Sequence, residues 1–96
     1  KPDYIEALNN KGLLLDAMGN HKDAVDAYDK ALKVKPGFDA AWFNKACAHA
    51  LLSNKDDALN SLQKAIKLNP AYKNTAQNTP DFALFKGDAG FEEMVK

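Results

Sequence analysis

Residues 20–36 read NHKDAVDAYDKALKVKP, and residues 54–70, 34 positions further on, read NKDDALNSLQKAIKLNP. In the first stretch Ala24, Val25, Tyr28, Ala31 and Leu32 recur at helical steps and define one apolar face. The second repeats that face with Ala58, Leu59, Leu62, Ala65 and Ile66. Each stretch closes on a proline, Pro36 or Pro70. Proline cannot donate the next helical bond and disfavours helical geometry in the residue before it. Each is also preceded by a break: Gly19-Asn20, a stop that tolerates left-handed backbone, and Ser53-Asn54 one period later.

The period extends upstream. Sliding residues 1–34 onto 35–68 gives 11 identities: Lys1/Lys35, Pro2/Pro36, Ala7/Ala41, Asn10/Asn44, Lys11/Lys45, Asn20/Asn54, Asp23/Asp57, Ala24/Ala58, Lys30/Lys64, Ala31/Ala65 and Lys33/Lys67. Most other pairs exchange like for like, as in Tyr4/Phe38, Leu8/Trp42 and Gly12/Ala46. A fixed period of this size marks a stacked repeat. The spacing predicts helices over about 4–18, 22–34, 38–52 and 56–68, each pair joined by a turn short enough to force an antiparallel hairpin. Gly12/Ala46, Ala24/Ala58 and Ala31/Ala65 fall where the two helices of a hairpin cross, and Tyr28/Leu62 and Leu8/Trp42 fill the gaps.

After Pro70 the repeat decays. Residues 71–77 can form two turns against the preceding helix. Thr79-Pro80-Asp81-Phe82 reads as a new N-cap with Pro in the first turn, and Asp88 as the cap of a last helix carrying Phe91, Met94 and Val95. Pro80 falls where a third repeat needs its small mid-helix residue, so a full third repeat is not expected. With Phe82, Leu84 and Phe85, these side chains suit a cap over the open end of the stack. The other reading of the tail is a segment that folds back into the domain's own groove or into a neighbour's.

Composition fits a folded, soluble protein, with 46% hydrophobic and 27% charged residues and a net charge of zero. All the basic residues are lysine, which argues against nucleic-acid recognition, where planar guanidinium groups and a positive stripe are favoured. One cysteine, Cys47, forms no internal disulfide, which suits a reducing, cytoplasmic compartment. Direct membrane contact is not expected, since no run approaches the length of a membrane span. The chain opens in mid-pattern without Met, which reads as an excised piece of a longer protein. The expected organisation is one domain over 1–96: repeat 1 about 3–36, repeat 2 about 37–70 and capping helices about 71–96.

The recurring set Leu8–Gly12–Leu15–Ala24–Tyr28–Ala31–Pro36 and Trp42–Ala46–His49–Ala58–Leu62–Ala65–Pro70 resembles the tetratricopeptide repeat. Leu15 and His49 depart from the family's Tyr, and Leu62 from its aromatic. The resemblance implies an all-α fold: antiparallel hairpins stacked as a right-handed superhelical α-solenoid, with the first helix of each pair (the A helix) lining a concave face. It further implies a non-enzymatic protein–protein interaction adaptor that binds a peptide on that face. Carried over by repeat position, the groove is Glu6, Asn9, Asn10, Leu13, Asp16 and Ala17, with Ala40, Phe43, Asn44, Cys47, Ala50 and Leu51 one period later. Both sets step by three, one, three, three and one, so each shares one helix face.

The groove so defined is mixed. Asn10 and Asn44 offer amides that both donate and accept, Leu13, Phe43 and Leu51 offer apolar pockets, and Glu6 and Asp16 add acid. A neutral to mildly basic partner segment fits best. One branch of the family clamps acidic C-terminal peptides with a set of Lys, Asn, Asn, Lys and Arg side chains. Of that set only Asn44 matches here; Asn9, Leu13, Asn74 and Asn78 occupy the other positions. Cys47 and His49 point apart on one helix, and with His21 on a turn they make a poor metal set. No cofactor is implied. Lys22, Lys30, Lys33, Lys64 and Lys67 read as solvated residues pairing with Asp23, Asp26 and Asp29. The alternative function is a structural or self-association segment, joined through exposed repeat ends such as the edge carrying Tyr4 and Leu8.

Overall fold

A computed structural model of the chain describes residues 2–96, with side chains from residue 4; Lys1, inside the expected domain bounds, lies outside them. The described residues form no strand. Two long hairpins come first: α1 (Pro2–Ala17) with α2 (His21–Val34), then α3 (Asp39–Leu51) with α4 (Lys55–Leu68). A short helix α5 (Tyr72–Gln77), a 3-10 helix (Pro80–Phe85) and a last helix α6 (Ala89–Met94) complete the chain. The four long helices fall within two residues of the ranges the period predicts.

The hairpin turns share one mechanism. At the end of α1 the N–H of Gly19 bonds to Asp16 O at 3.0 Å and that of Asn20 to Leu15 O at 2.8 Å. This is the paired closure that needs a left-handed residue at the turn, and Gly19 has φ +84°. At the end of α3 the N–H groups of Ser53 and Asn54 bond to Ala50 O and His49 O at 3.0 and 2.9 Å. Ser53 adopts φ +63° there, the costlier solution for a residue with a Cβ.

The crossings are as tight as the small residues imply. Ala24, Ala31, Ala46, Ala58 and Ala65 are fully buried. A Cβ on Gly12 would sit 2.3 Å from Tyr28 Cε1, so the glycine is what admits the tyrosine ring. Repeat 2 divides the same volume differently, with Ala46 facing the smaller Leu62. Leu62 in place of an aromatic is therefore a size exchange across the crossing. The repeats join where α3 packs on α2: Ala41 and Phe38 cluster with Ala31 and Leu32, and Ala48 with Ala24 and Tyr28.

The C-terminal segment continues the core of repeat 2. Ala76, Phe82, Phe85, Phe91 and Val95 form one buried cluster with Phe43, Ala46, Cys47, Ala50, Ala58, Leu62, Ala65 and Ile66. Asp88 caps α6, its Oδ1 accepting from Phe91 N at 3.1 Å, and it pairs with Lys55 of α4. Thr79 does not cap the 3-10 helix through its side chain; its hydroxyl donates to Thr75 O at 2.6 Å. Leu84 is exposed, because a 3-10 helix has three residues per turn and turns Phe82 and Phe85 inward together, leaving Leu84 outside.

Candidate functional site

The expected groove spans the outward side of α1 and α3, two neighbouring A helices linked by a hydrogen bond from Asn44 Nδ2 to Asn9 Oδ1 of 3.0 Å. Asn9 is buried, whereas Asn10, which shares Asn44's position in the period, is exposed. The Asn pair in register is thus not the pair in contact. Asn44 is held by the adjacent residue, and Asn10 keeps its amide toward solvent.

The two halves of the face differ. On α1, Glu6, Asn10 and Ala17 are exposed and Leu13 keeps 44% of its surface open. On α3, Phe43, Cys47 and Ala50 are buried, Ala40 and Asn44 are half-buried, and Leu51 is 45% exposed. The difference comes from the tail. Tyr72 stacks on Phe43 with ring centroids 4.7 Å apart and planes inclined by 16°, and Phe82 meets Phe43 edge-on at 5.8 Å. The C-terminal segment therefore roofs the α3 half of the A-helix face while also covering α4. Tyr72, Phe82 and Asp81, whose carboxylate approaches the Cys47 thiol, are the residues at this face that repeat position did not identify; the aromatic character of Tyr72 and Phe82 was the available signal, and Asp81 carried none.

The carboxylate of Asp16 is held by α2. Its Oδ1 lies 2.8 Å from His21 Nδ1 and its Oδ2 accepts the Tyr28 hydroxyl at 2.7 Å. The buried phenol of Tyr28 needs such a partner. Burial, then the Asp16 hydrogen bond and the Asp16 charge, push the Tyr28 pKa far up, so the phenol stays protonated. With Asp16 committed to α2, the acid left on the α1 half is Glu6.

Cys47 lies beneath the 3-10 helix. Burial first, then the carboxylates of Asp81 and Asp16, push its thiol pKa well up, so the thiolate is strongly disfavoured. His49 is half-buried, 3.4 Å from Asn54 Nδ2. Its pKa is lowered chiefly by burial and also by Lys45, against the opposing charges of Asp57 and Asp29. His21, Cys47 and His49 thus serve three separate environments, and no group of three metal-ligating side chains forms among the described residues.

Among the described residues Lys22, Lys30, Lys33, Lys64 and Lys67 form no ion pair with Asp23, Asp26 or Asp29; the lysine that meets Asp29 is Lys45, across the repeat junction. Lys45 Nζ is 2.7 Å from Asp29 Oδ1, and Lys45 and Lys64 lie over the Trp42 ring at 5.2 and 5.3 Å from its centroid. Trp42 itself donates to Pro36 O at 2.7 Å, tying the inter-repeat loop to α3. Among the described residues, no helix is long and apolar enough to cross a membrane.

The open part of the face carries one partly exposed leucine on each helix, the exposed amide of Asn10 and the exposed carboxylate of Glu6. Comparison with curated proteins gives no significant match. A family model described as tetratricopeptide repeat matches residues 5–38 and again residues 40–72, more than half of the chain. The matched segments are the two hairpins, and the chain belongs to the tetratricopeptide repeat family.

Proposed function

We propose that the chain is an interaction adaptor that takes a partner peptide along the α1 half of its A-helix face. Repeats of this family are protein–protein interaction modules. The observation that carries the finer reading is the contrast between the halves: on α1 Glu6, Asn10, Leu13 and Ala17 are exposed, whereas on α3 Phe43, Cys47 and Ala50 are roofed and only Leu51, at the end of the helix, stays nearly half exposed. Two leucines on linked helices provide anchors, and burying the nearly half of each that is still exposed contributes roughly 0.7–1.5 kcal/mol apiece. Asn10 can bond a peptide N–H and C=O together. With Glu6 as the remaining acid, a neutral or mildly basic segment fits. The two repeats and the C-terminal segment act together as one unit, because the wall of the groove at Phe43 rests on Tyr72 and Phe82.

The test begins with peptides selected from a randomised library against the intact chain and maps them by amide chemical shifts. Shifts should centre on Glu6, Asn10, Leu13, Ala17, Asn44 and Leu51. Leu13→Asp should weaken binding about tenfold or more without lowering the melting temperature. Shifts confined to α2 and α4, or indifference to Leu13→Asp, would count decisively against this face. A structural segment without peptide ligand is the second reading, drawing on exposed Tyr4, Leu14 and Met18. Light scattering that finds only monomer at high concentration rules out its self-association form.

A further inference from the structure

The 34-residue period allows each side chain of α1 to be compared with its equivalent on α3. From the N-cap Phe38 to the C-cap Leu52, the residues Phe38, Ala41, Lys45, Ala48 and Leu52 step by three and four and form one stripe. α2 covers that stripe: Ala31 and Leu32 cluster with Phe38 and Ala41, Ala24 and Tyr28 with Ala48, and Asp29 takes the central Lys45 at 2.7 Å. The equivalents on α1 are Tyr4, Ala7, Lys11, Leu14 and Met18. Tyr4 is 56% exposed and Leu14 and Met18 are each 63% exposed, with Ala7 and Lys11 also open to solvent. It is the same apolar stripe with the same central lysine, and none of the described residues covers it.

We propose that this stripe docks an amphipathic helix from outside these 96 residues, presenting small and branched apolar side chains around one carboxylate that meets Lys11. The interface already present between α2 and α3 is the template for the contact, and charge selects the occupant. A second copy laid antiparallel across a twofold axis would set Tyr4 against Met18, Ala7 against Leu14 and Lys11 against Lys11. Like charges would then face each other at the centre. Head-to-tail stacking fails on chemistry as well: α4 carries Gln63 at the position of Asp29, and its apolar side already packs in the cluster of Phe82, Phe85 and Phe91. Asp23 and Asp26 border the groove beside Lys11, which disfavours a highly acidic helix and limits the match to a single carboxylate there.

The probe is a fluorescent, side-chain-crosslinked peptide of residues 21–34, the sequence of the helix that covers the equivalent stripe. The crosslink offsets the weak helicity of so short a peptide in water. Titrated with the intact chain, it should bind saturably by anisotropy. Leu14→Asp in the protein should weaken that binding roughly ten- to a hundredfold with an unchanged melting curve. A peptide carrying Asp29→Lys should bind the wild-type chain poorly and recover on the Lys11→Glu chain. Leu13→Asp, on the other face, should leave the probe's affinity unaltered. The proposal is overturned by no saturable binding, by indifference to Leu14→Asp or to the charge exchange, or by sensitivity to Leu13→Asp instead. A wild-type dimer in sedimentation that Leu14→Asp dissolves would give the stripe to a second copy and overturn it too.

Discussion

Replacing Gly12 with alanine sets two effects of known size against each other. In an exposed helix interior the change is favourable by about 0.8–1.0 kcal/mol, because glycine is the more flexible residue unfolded. Here the added Cβ would lie 2.3 Å from Tyr28 Cε1 and 2.7 Å from Cδ1 and Cζ, against the 3.4 Å at which ordinary contact begins. The ring has no easy retreat: it is fully buried, and its hydroxyl is fixed to Asp16 at 2.7 Å. Overpacking a close-packed site costs roughly 1–3 kcal/mol, and straining a hydrogen bond to a carboxylate adds roughly 1.5–3 kcal/mol if it breaks. The steric cost wins, leaving a net loss of about 2 kcal/mol, which in a domain of this size lowers the melting temperature by roughly 8–16 °C. The assay is thermal and urea unfolding followed by circular dichroism, run as a double-mutant cycle with Tyr28→Leu. That second change recreates the combination of repeat 2, Ala46 over Leu62, so Gly12→Ala should become neutral or stabilising in its background, with a coupling above about 1 kcal/mol. If Gly12→Ala raises the melting temperature of the wild type, or has one effect in both backgrounds, the account of the crossing is wrong.

Ser53→Gly should stabilise the chain by about 1 kcal/mol in urea unfolding, since it removes a Cβ from a left-handed turn that Gly19 already makes without one. Stability should fall as pH drops below about 6.5, the ordinary histidine value. The folded His49 pKa is lowered, so the unfolded chain takes up the proton first, and His49→Gln should flatten that part of the pH profile of the melting temperature. Asp88→Ala should lower the melting temperature by removing the α6 cap and the partner of Lys55. Because the Asp88 pKa is lowered, first by Lys55 and then by the Phe91 amide, this difference should be present above about pH 4 and fade as pH falls through the lowered value. Phe82→Ala should cost about 3–5 kcal/mol, which circular dichroism would report as a broad or much earlier transition.

The hairpins were legible because a repeat is read twice. Gly19 and Ser53, Pro36 and Pro70, and Ala24 and Ala58 each confirm the other's place, so the helix ends fall within two residues of the periodic reading. The α3 half of the groove was not legible in the same way. Whether Phe43 lines an open pocket or a core depends on the path of residues 71–85, which have no periodic counterpart, and Tyr72 and Phe82 complete that face from far along the chain. Asp16 keeps its place in the periodic set, but the period does not show that its carboxylate is occupied by Tyr28 and His21. A tyrosine at a buried crossing needs a partner for its hydroxyl, and that was the sequence signal for Asp16. Asn10 and Asn44 share a repeat position, yet the neighbouring Asn9 makes the contact, because side-chain reach across two parallel helices does not follow the period.

Binding on the α1 half presumes that the C-terminal segment roofs the α3 half, and the chain's single thiol reports on this directly. The measurement is the rate at which an aromatic disulfide reagent modifies Cys47 in the native protein, beside a Leu13→Cys variant in a Cys47→Ala background. Cys47 is buried with its thiolate disfavoured, so it should react only through opening of the roof or of the whole fold, orders of magnitude more slowly than a free thiol. Leu13→Cys should react at close to the free-thiol rate. Rapid modification of Cys47 in the folded chain, comparable to that at position 13, would mean that the whole A-helix face is open and would contradict the division of the site.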